Sequence, residues 1–311
     1  MNKNDPVYIV GPTAVGKTDI SISLAKKLNA EIISADSMQV YRGMDIGTAK
    51  PSAFQLKDVP HHLINILDLD KTFSVAQFKG AAERIIDDVR SRSRIPLVVG
   101  GTGLYVKSLT EGIFKGPSAD WDFRAELQEE KNRYGLGRLY ERLREIDPQS
   151  AGKIKAGDMR RIVRALEVHH LTGRLISELQ IEWNSSHADI TAIGLDMERR
   201  LLNERINKRV DEMFSQGLLE ETKKLIESGI ESNRTAMQAI GYKEIIGHIR
   251  GKYSIDEARE LLKRNSRRYA KRQLTWFRKD SRIKWFDVGG IEFGNLLRQI
   301  EVFLKSRGYS I

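Results

Sequence analysis

The stretch Gly11-Pro12-Thr13-Ala14-Val15-Gly16-Lys17-Thr18 constrains this chain most. Its G-x-x-x-x-G-K-T spacing bends backbone N–H groups around a phosphate and belongs between a strand and a helix. The flanks supply both. Residues 7–10 form a short apolar run that predicts a buried strand, and residues 19–28 place Ile20, Leu24 and Leu28 at helical spacing. Gly11 and Gly16 allow the backbone to bend sharply and approach a ligand closely. Lys17 adds a mobile positive charge, and the Thr18 hydroxyl can reach a Mg²⁺ carried by the same phosphates. Such a cradle recognises a diphosphate rather than a base, so the rest of the ligand has to be read elsewhere.

At 311 residues the chain is long enough for a core domain with an inserted or appended second one. Charged residues make up 30% of it and no apolar run approaches the ~20 residues of a membrane span, so a cytoplasmic protein without membrane attachment is expected. Zero cysteines exclude disulfides, cysteine zinc sites and a thiol nucleophile. A net charge of +10 favours polyanionic partners. Its distribution says more than its size: Lys263, Arg264, Arg267, Arg268, Lys271, Arg272, Arg278, Lys279 and Arg282 are interleaved with Tyr269, Trp276 and Phe277. A basic stripe with aromatics suits a nucleic-acid surface, the alternative being a solvated helix face.

Residues 31–35 read as a second strand that ends in Asp36-Ser37-Met38-Gln39-Val40-Tyr41. Groups at the C-terminal ends of parallel strands face the ligand crevice, so Asp36 shares the space in front of the P-loop. It can orient or deprotonate a nucleophile there, or serve as a capping or magnesium-supporting carboxylate. A further apolar run at 96–99 opens into Gly100-Gly101-Thr102-Gly103, where a hydrolytic NTPase would place a magnesium-holding Asp. That departure argues against simple nucleotide hydrolysis. From about Gly116 the texture turns charged and helix-forming until a strand-like run at 191–195. The expected architecture is therefore α/β, a P-loop NTPase-like parallel sheet core made of 1–115 and 191–311, with a mostly helical insertion domain at 116–190. Arg160, Arg161 and Arg164 on one predicted helix could grip phosphates, and Arg205 with Arg209 could stabilise a departing anion if their helix faces the crevice. The pairs His61-His62 and His169-His170 lack the ligands that would complete a metal site.

These motifs, with Asp45-Ile46-Gly47-Thr48-Ala49-Lys50-Pro51, Arg161-Ile162-Val163-Arg164-Ala165-Leu166-Glu167, Gln238-Ala239-Ile240-Gly241-Tyr242-Lys243-Glu244 and Lys271-Arg272-Gln273-Leu274-Thr275-Trp276-Phe277-Arg278, resemble the tRNA dimethylallyltransferase (tRNA isopentenyltransferase) family of bacterial type over essentially the whole chain. The resemblance implies transfer of a dimethylallyl group from dimethylallyl diphosphate to the N6 amine of the adenosine immediately 3′ of the anticodon, position 37, with release of diphosphate. It implies Mg²⁺ as cofactor, a tRNA anticodon stem-loop as partner and a monomeric enzyme. Gly11 through Thr18, with Arg205 and Arg209, would hold the diphosphate, Thr18 the metal, and Asp36, Lys17 and Thr18 would be catalytic. Asp36, Ser37, Met38, Gln39, Thr102, Arg124, Arg160, Arg161, Arg164, Gln238, Gly241, Tyr242, Lys243, Lys271, Arg272, Gln273, Trp276 and Arg278 would contact tRNA. A P-loop kinase of a small metabolite or nucleoside is the rival reading; it leaves the basic helix unexplained.

Overall fold

The computed structural model describes residues 4–114, 116–183 and 189–311. The chain forms two compact units, Met1–Thr110 with Asp189–Ile311, and Glu111–Ala188. The second unit thus begins a few residues before the compositional change at Gly116.

The first unit contains β1 (Val7–Val10), α1 (Lys17–Leu28), β2 (Ala30–Ser34), α2 (Ala53–Asp58), β3 (His61–His62), α3 (Val75–Ser91), β4 (Ile95–Gly100) and α4 (Gly103–Thr110). The second holds α5 (Trp121–Tyr134), α6 (Leu136–Ile146), α7 (Pro148–Lys153), α8 (Met159–Thr172) and α9 (Ile176–Trp183). The first then resumes with β5 (Thr191–Asp196), α10 (Arg199–Ser215), α11 (Leu218–Glu227), α12 (Tyr242–Ile249), α13 (Ile255–Phe277), β6 (Ile283–Asp287) and α14 (Phe293–Ser306).

Six strands form one sheet in the order β3-β2-β4-β1-β5-β6, and every pairing is parallel. Strand β1 lies between β4 and β5, in register Val7 with Leu97 and Val7 with Thr191. All four of its residues are buried, as the continuous apolar run requires when helices cover both faces of a sheet. Because the strands run the same way, the loops after β1, β2, β4 and β5 emerge at one edge, where an open α/β sheet presents its ligand crevice.

The second unit has its own core, built from Phe123, Leu127, Leu139, Leu143, Ile162 and Leu166 among others. Inside it Glu167, fully buried, accepts hydrogen bonds from Arg124 (Nε 2.7 Å, Nη2 2.8 Å), from Arg164 Nη1 (2.5 Å) and from the Asp120 N–H (2.9 Å). Burial opposes ionisation of Glu167, but the hydrogen bonds from Arg124 and Arg164 outweigh it and hold the carboxyl below its ordinary range. Arg164 also donates to the Pro117 carbonyl at 2.9 Å. Arg124 and Arg164, expected to face RNA, are both engaged in fastening the helices of this unit while their side chains stay 30% exposed. Arg160 is exposed on α8, and exposed Arg161 lies 3.4 Å from Asp158.

Candidate active site

The P-loop leaves β1 and enters α1 through Gly16, whose left-handed backbone (φ 99°) is open to glycine at little cost. No side chain caps α1, so the first-turn amides and the positive end of the helix dipole remain available to an anion. Ala14 is held at φ 65°, a conformation that a non-glycine residue rarely adopts. Lys17 folds back over the loop, donating to the carbonyls of Gly11 (3.0 Å) and Pro12 (2.7 Å). Desolvation, and then the nearby Arg209, lower its ammonium to about 7, with Asp36 acting in the opposite sense.

Arg209 approaches from α10, with Nη1 3.4 Å from the Thr13 hydroxyl. Desolvation and the like charge of Arg205 lower its pKa. A Cβ built on Gly16 would lie 3.6 Å from Arg205 Nη2, so this helix does face the crevice. Among the described residues neither arginine makes an ion pair with a carboxylate. Two cations without a paired carboxylate near a helix N-terminus favour an anionic ligand.

Asp36 follows β2, and its Oδ1 accepts from the N–H groups of Met38 (2.8 Å) and Gln39 (3.3 Å). Among the described residues its second oxygen has no protein donor, which leaves one acceptor aimed by an Asx-type turn. Thr102 steadies the same turn: its N–H donates to the Ala35 carbonyl (3.2 Å), and its hydroxyl accepts from the Ser37 N–H (3.2 Å). Gln39 accepts from the Ser34 hydroxyl (3.1 Å) and donates to the Thr48 carbonyl (3.3 Å).

The P-loop, Asp36, Gln39, Arg209, Tyr269 and the Gly100-Gly101 turn line one cleft of about 100 Å³, with Ile32, Ala49, Pro51, Ile64 and Val99 as its apolar wall. Beside the P-loop the cleft thus presents apolar surface. Tyr269, at first sight one aromatic of a basic stripe, belongs to this cleft. Burial and then Asp36 push its phenol up to about 12.

Of the residues expected at the RNA, Tyr242 is turned into the core and Gln273 stands in the cleft lining. Gln273, only 5% exposed, accepts from the Thr13 N–H (2.9 Å) and donates to the Gly101 carbonyl (2.9 Å), tying α13 to both loops. A Cβ on Gly101 would fall 2.1 Å from its amide nitrogen, which explains glycine there. Tyr242 is fully buried and donates to Glu221 at 2.7 Å. Gly241 is buried, its N–H bonded to Glu244 at 2.8 Å, and exposed Lys243 sits 3.6 Å from Glu244. Gln238 is exposed and donates to the Arg234 carbonyl at 2.9 Å. On α13 Lys271, Arg272 and Trp276 are exposed, whereas Phe277 is core. Arg278, just beyond, pairs with Asp196 at 2.5 Å. Of the histidines, His62 binds Glu31 (2.7 Å) and His170 stacks on Phe123 (3.9 Å between centroids).

Residues 39–280 match the family model described as IPP transferase. The chain belongs to the IPP transferase family. A relative described as a tRNA dimethylallyltransferase, from Halalkalibacterium halodurans, is 48% identical over 308 residues, 98% of each chain. Among solved structures, a full-length tRNA isopentenylpyrophosphate transferase from Bacillus halodurans matches with a TM-score of 0.73 at 47% identity, covering 98% of this chain and 96% of the other. A eukaryotic dimethylallyltransferase acting on tRNA matches with a TM-score of 0.82 at 28% identity, covering 99% and 81%. The cleft described above lies within the part of the chain these relatives share.

Proposed function

We propose that this chain transfers the dimethylallyl group of dimethylallyl diphosphate to the N6 amine of adenosine 37 of tRNA, next to the anticodon. The observation that carries the reading is the composition of the cleft: a P-loop with Arg209 lining it and Arg205 close to Gly16, neither paired with a carboxylate among the described residues, an apolar wall, and a carboxylate with one oxygen left to accept a proton. The diphosphate would rest on the P-loop amides with Lys17, Arg205 and Arg209 around it, and the prenyl chain along Ile32, Ile64 and Val99. The adenosine would leave the anticodon stack, at a cost of a few kcal/mol, to bring its amine to Asp36.

In the reaction the N6 lone pair forms a bond to C1 of the prenyl group as the C1–O bond to diphosphate breaks. The departing electron pair stays on diphosphate, and the amine proton passes to Asp36. An aromatic exocyclic amine is a poor nucleophile, so Asp36 contributes both orientation and proton removal. Lys17, Arg205 and Arg209 stabilise the charge that grows on the leaving oxygen.

Magnesium fits the site as an ion carried on the diphosphate. The cleft offers the Thr18 hydroxyl, while no cluster of three or more His, Cys, Asp or Glu side chains exists among the described residues. Thr18 would hold it together with substrate oxygens, and when bound it supplies further positive charge to the leaving group.

Exposed Lys271, Arg272 and Trp276 on α13 would meet the RNA backbone, and Arg160 and Arg161 on α8 would add phosphate contacts. We place the enzyme in the cytoplasm, with its tRNA, acting as a monomer; no described helix is long and apolar enough to cross a membrane.

The test is transfer of labelled dimethylallyl diphosphate to unmodified tRNA with Mg²⁺, run beside γ-labelled ATP. Label on the adenosine 3′ of the anticodon is expected. ATP consumption without prenyl transfer would overturn the reading in favour of a kinase.

A further inference from the structure

Residues 45–51 form a loop whose Thr48, Ala49 and Pro51 build part of the cleft wall. What fixes that wall lies behind it. Glu221, in the first turn of α11, takes the Ile46 N–H at 2.8 Å, the Gly47 N–H at 3.1 Å and the Asp45 N–H at 3.2 Å, and the Tyr242 hydroxyl at 2.7 Å. Three successive backbone amides converging on one carboxylate make an anion nest that the chain fills with its own side chain. The Tyr242 ring packs directly on the loop, since a Cβ on Gly47 would lie 2.5 Å from it. The far end is pinned separately by Lys50, whose buried ammonium donates to the Tyr41 carbonyl (2.8 Å), Asp45 (2.5 Å) and Asn65 (2.5 Å). The residues between the two anchors face the cleft, and Thr48 additionally receives the Gln39 amide.

We infer that Glu221, supported by Tyr242, is the positioning residue that sets the width of the donor pocket and thereby the length of the prenyl chain accepted. This rests on the proposed reading of the cleft as a prenyl diphosphate site. A carboxylate suits the task because it only accepts; a glutamine would offer one oxygen and turn an NH₂ toward the loop's own N–H donors. With the nest unfilled, residues 45–47 lose their anchor and the wall at Ala49 and Pro51 relaxes outward, admitting bulkier chains.

The experiment compares dimethylallyl and geranyl diphosphate as donors for the wild-type protein, Glu221→Gln and Tyr242→Phe, with melting curves on each and tRNA affinity measured separately. For Glu221→Gln the ratio of kcat/KM for the short over the long donor should fall about tenfold, the size of a pocket-fit effect, with donor KM raised and tRNA Kd nearly unchanged. Tyr242→Phe removes a single hydrogen bond and keeps the ring, so its ratio should fall about threefold. If Glu221→Gln does not fold, Tyr242→Phe carries the test through the same ratio. An unchanged ratio in the folded variants, or a loss of tRNA affinity equal to the rise in donor KM, would overturn the inference. Failure of the wild-type protein to use dimethylallyl diphosphate would instead refute the proposed function.

Discussion

Arg124 and Arg164 in the second unit and Arg205 and Arg209 in the first are all arginines on helices, and as sequence all four suit an anionic substrate. In the structure their fates differ because of one residue. Glu167 is fully buried between Arg124 and Arg164, and a buried carboxylate has to be paired, so it captures both. No carboxylate pairs with Arg205 or Arg209 among the described residues, and Arg209 tolerates a lowered pKa from burial and its like-charged neighbour. A helical arginine is thus tied into the fold when the fold supplies its counter-ion and stays available to a ligand when it does not.

That contrast can be broken by mutation. Arg209→Ala should lower kcat about 100-fold, the scale of losing one group that stabilises a leaving charge, with melting temperature little changed. Arg164→Ala should do the reverse, leaving kcat nearly intact while costing roughly 2 kcal/mol of stability, because the buried Glu167 loses one of its two guanidinium donors. Steady-state kinetics and thermal melts on the two variants check both; similar profiles would dissolve the distinction.

A pH series sharpens it. The Glu167 carboxyl is held below its ordinary value of 4.5, so its stabilising contribution is complete above that pH and is lost as pH falls below it. Hydrogen exchange should therefore show the unit Glu111–Ala188 opening on acidification, and Glu167→Gln should reduce that pH dependence, the remainder coming from buried Asp147, whose carboxyl, despite desolvation, is likewise held low by hydrogen bonds from Ser150 and Ser177. Acid opening that persists unchanged in the variant would contradict the assignment.

The smallest effect concerns RNA. Lys271→Ala with Arg272→Ala should weaken tRNA binding and reduce the slope of log K against log salt by about 1 for each phosphate no longer neutralised, without changing donor KM. Filter binding across a salt series measures it; an unchanged slope would remove α13 from the interface.

Much of the fold and the cleft was legible in the residues. The P-loop's strand and helix, the strand before Asp36 and the Gly100-Gly101 turn each carry a local signature, either an apolar run or a backbone geometry that only certain residues permit, and the structure places them around one cleft. The charged stretch after Gly116 likewise announced helices. What stayed hidden depends on partners distant in sequence. Nothing in the Leu218–Glu227 segment distinguishes Glu221 from an ordinary acidic residue in a first helical turn, since its ligands are backbone amides about 175 positions away. Gln273 and Tyr242 read as candidate RNA contacts because their motifs mix core and surface residues, and only packing shows which side chains turn inward. The basic stripe on α13 shows the same mixture: Trp276 is exposed, Phe277 is core, and Tyr269 reaches the cleft.

The measurement that bears most directly on the proposed mechanism is single-turnover prenyl transfer by Asp36→Ala with saturating tRNA and dimethylallyl diphosphate, alongside tRNA binding by the same protein. Transfer reduced by about a thousandfold with tRNA affinity nearly unchanged is the expected result for loss of the group that orients the amine and takes its proton. Transfer near the wild-type rate would show that the uncommitted carboxylate oxygen in the cleft has no part in the chemistry, and the proposed mechanism would fail with it.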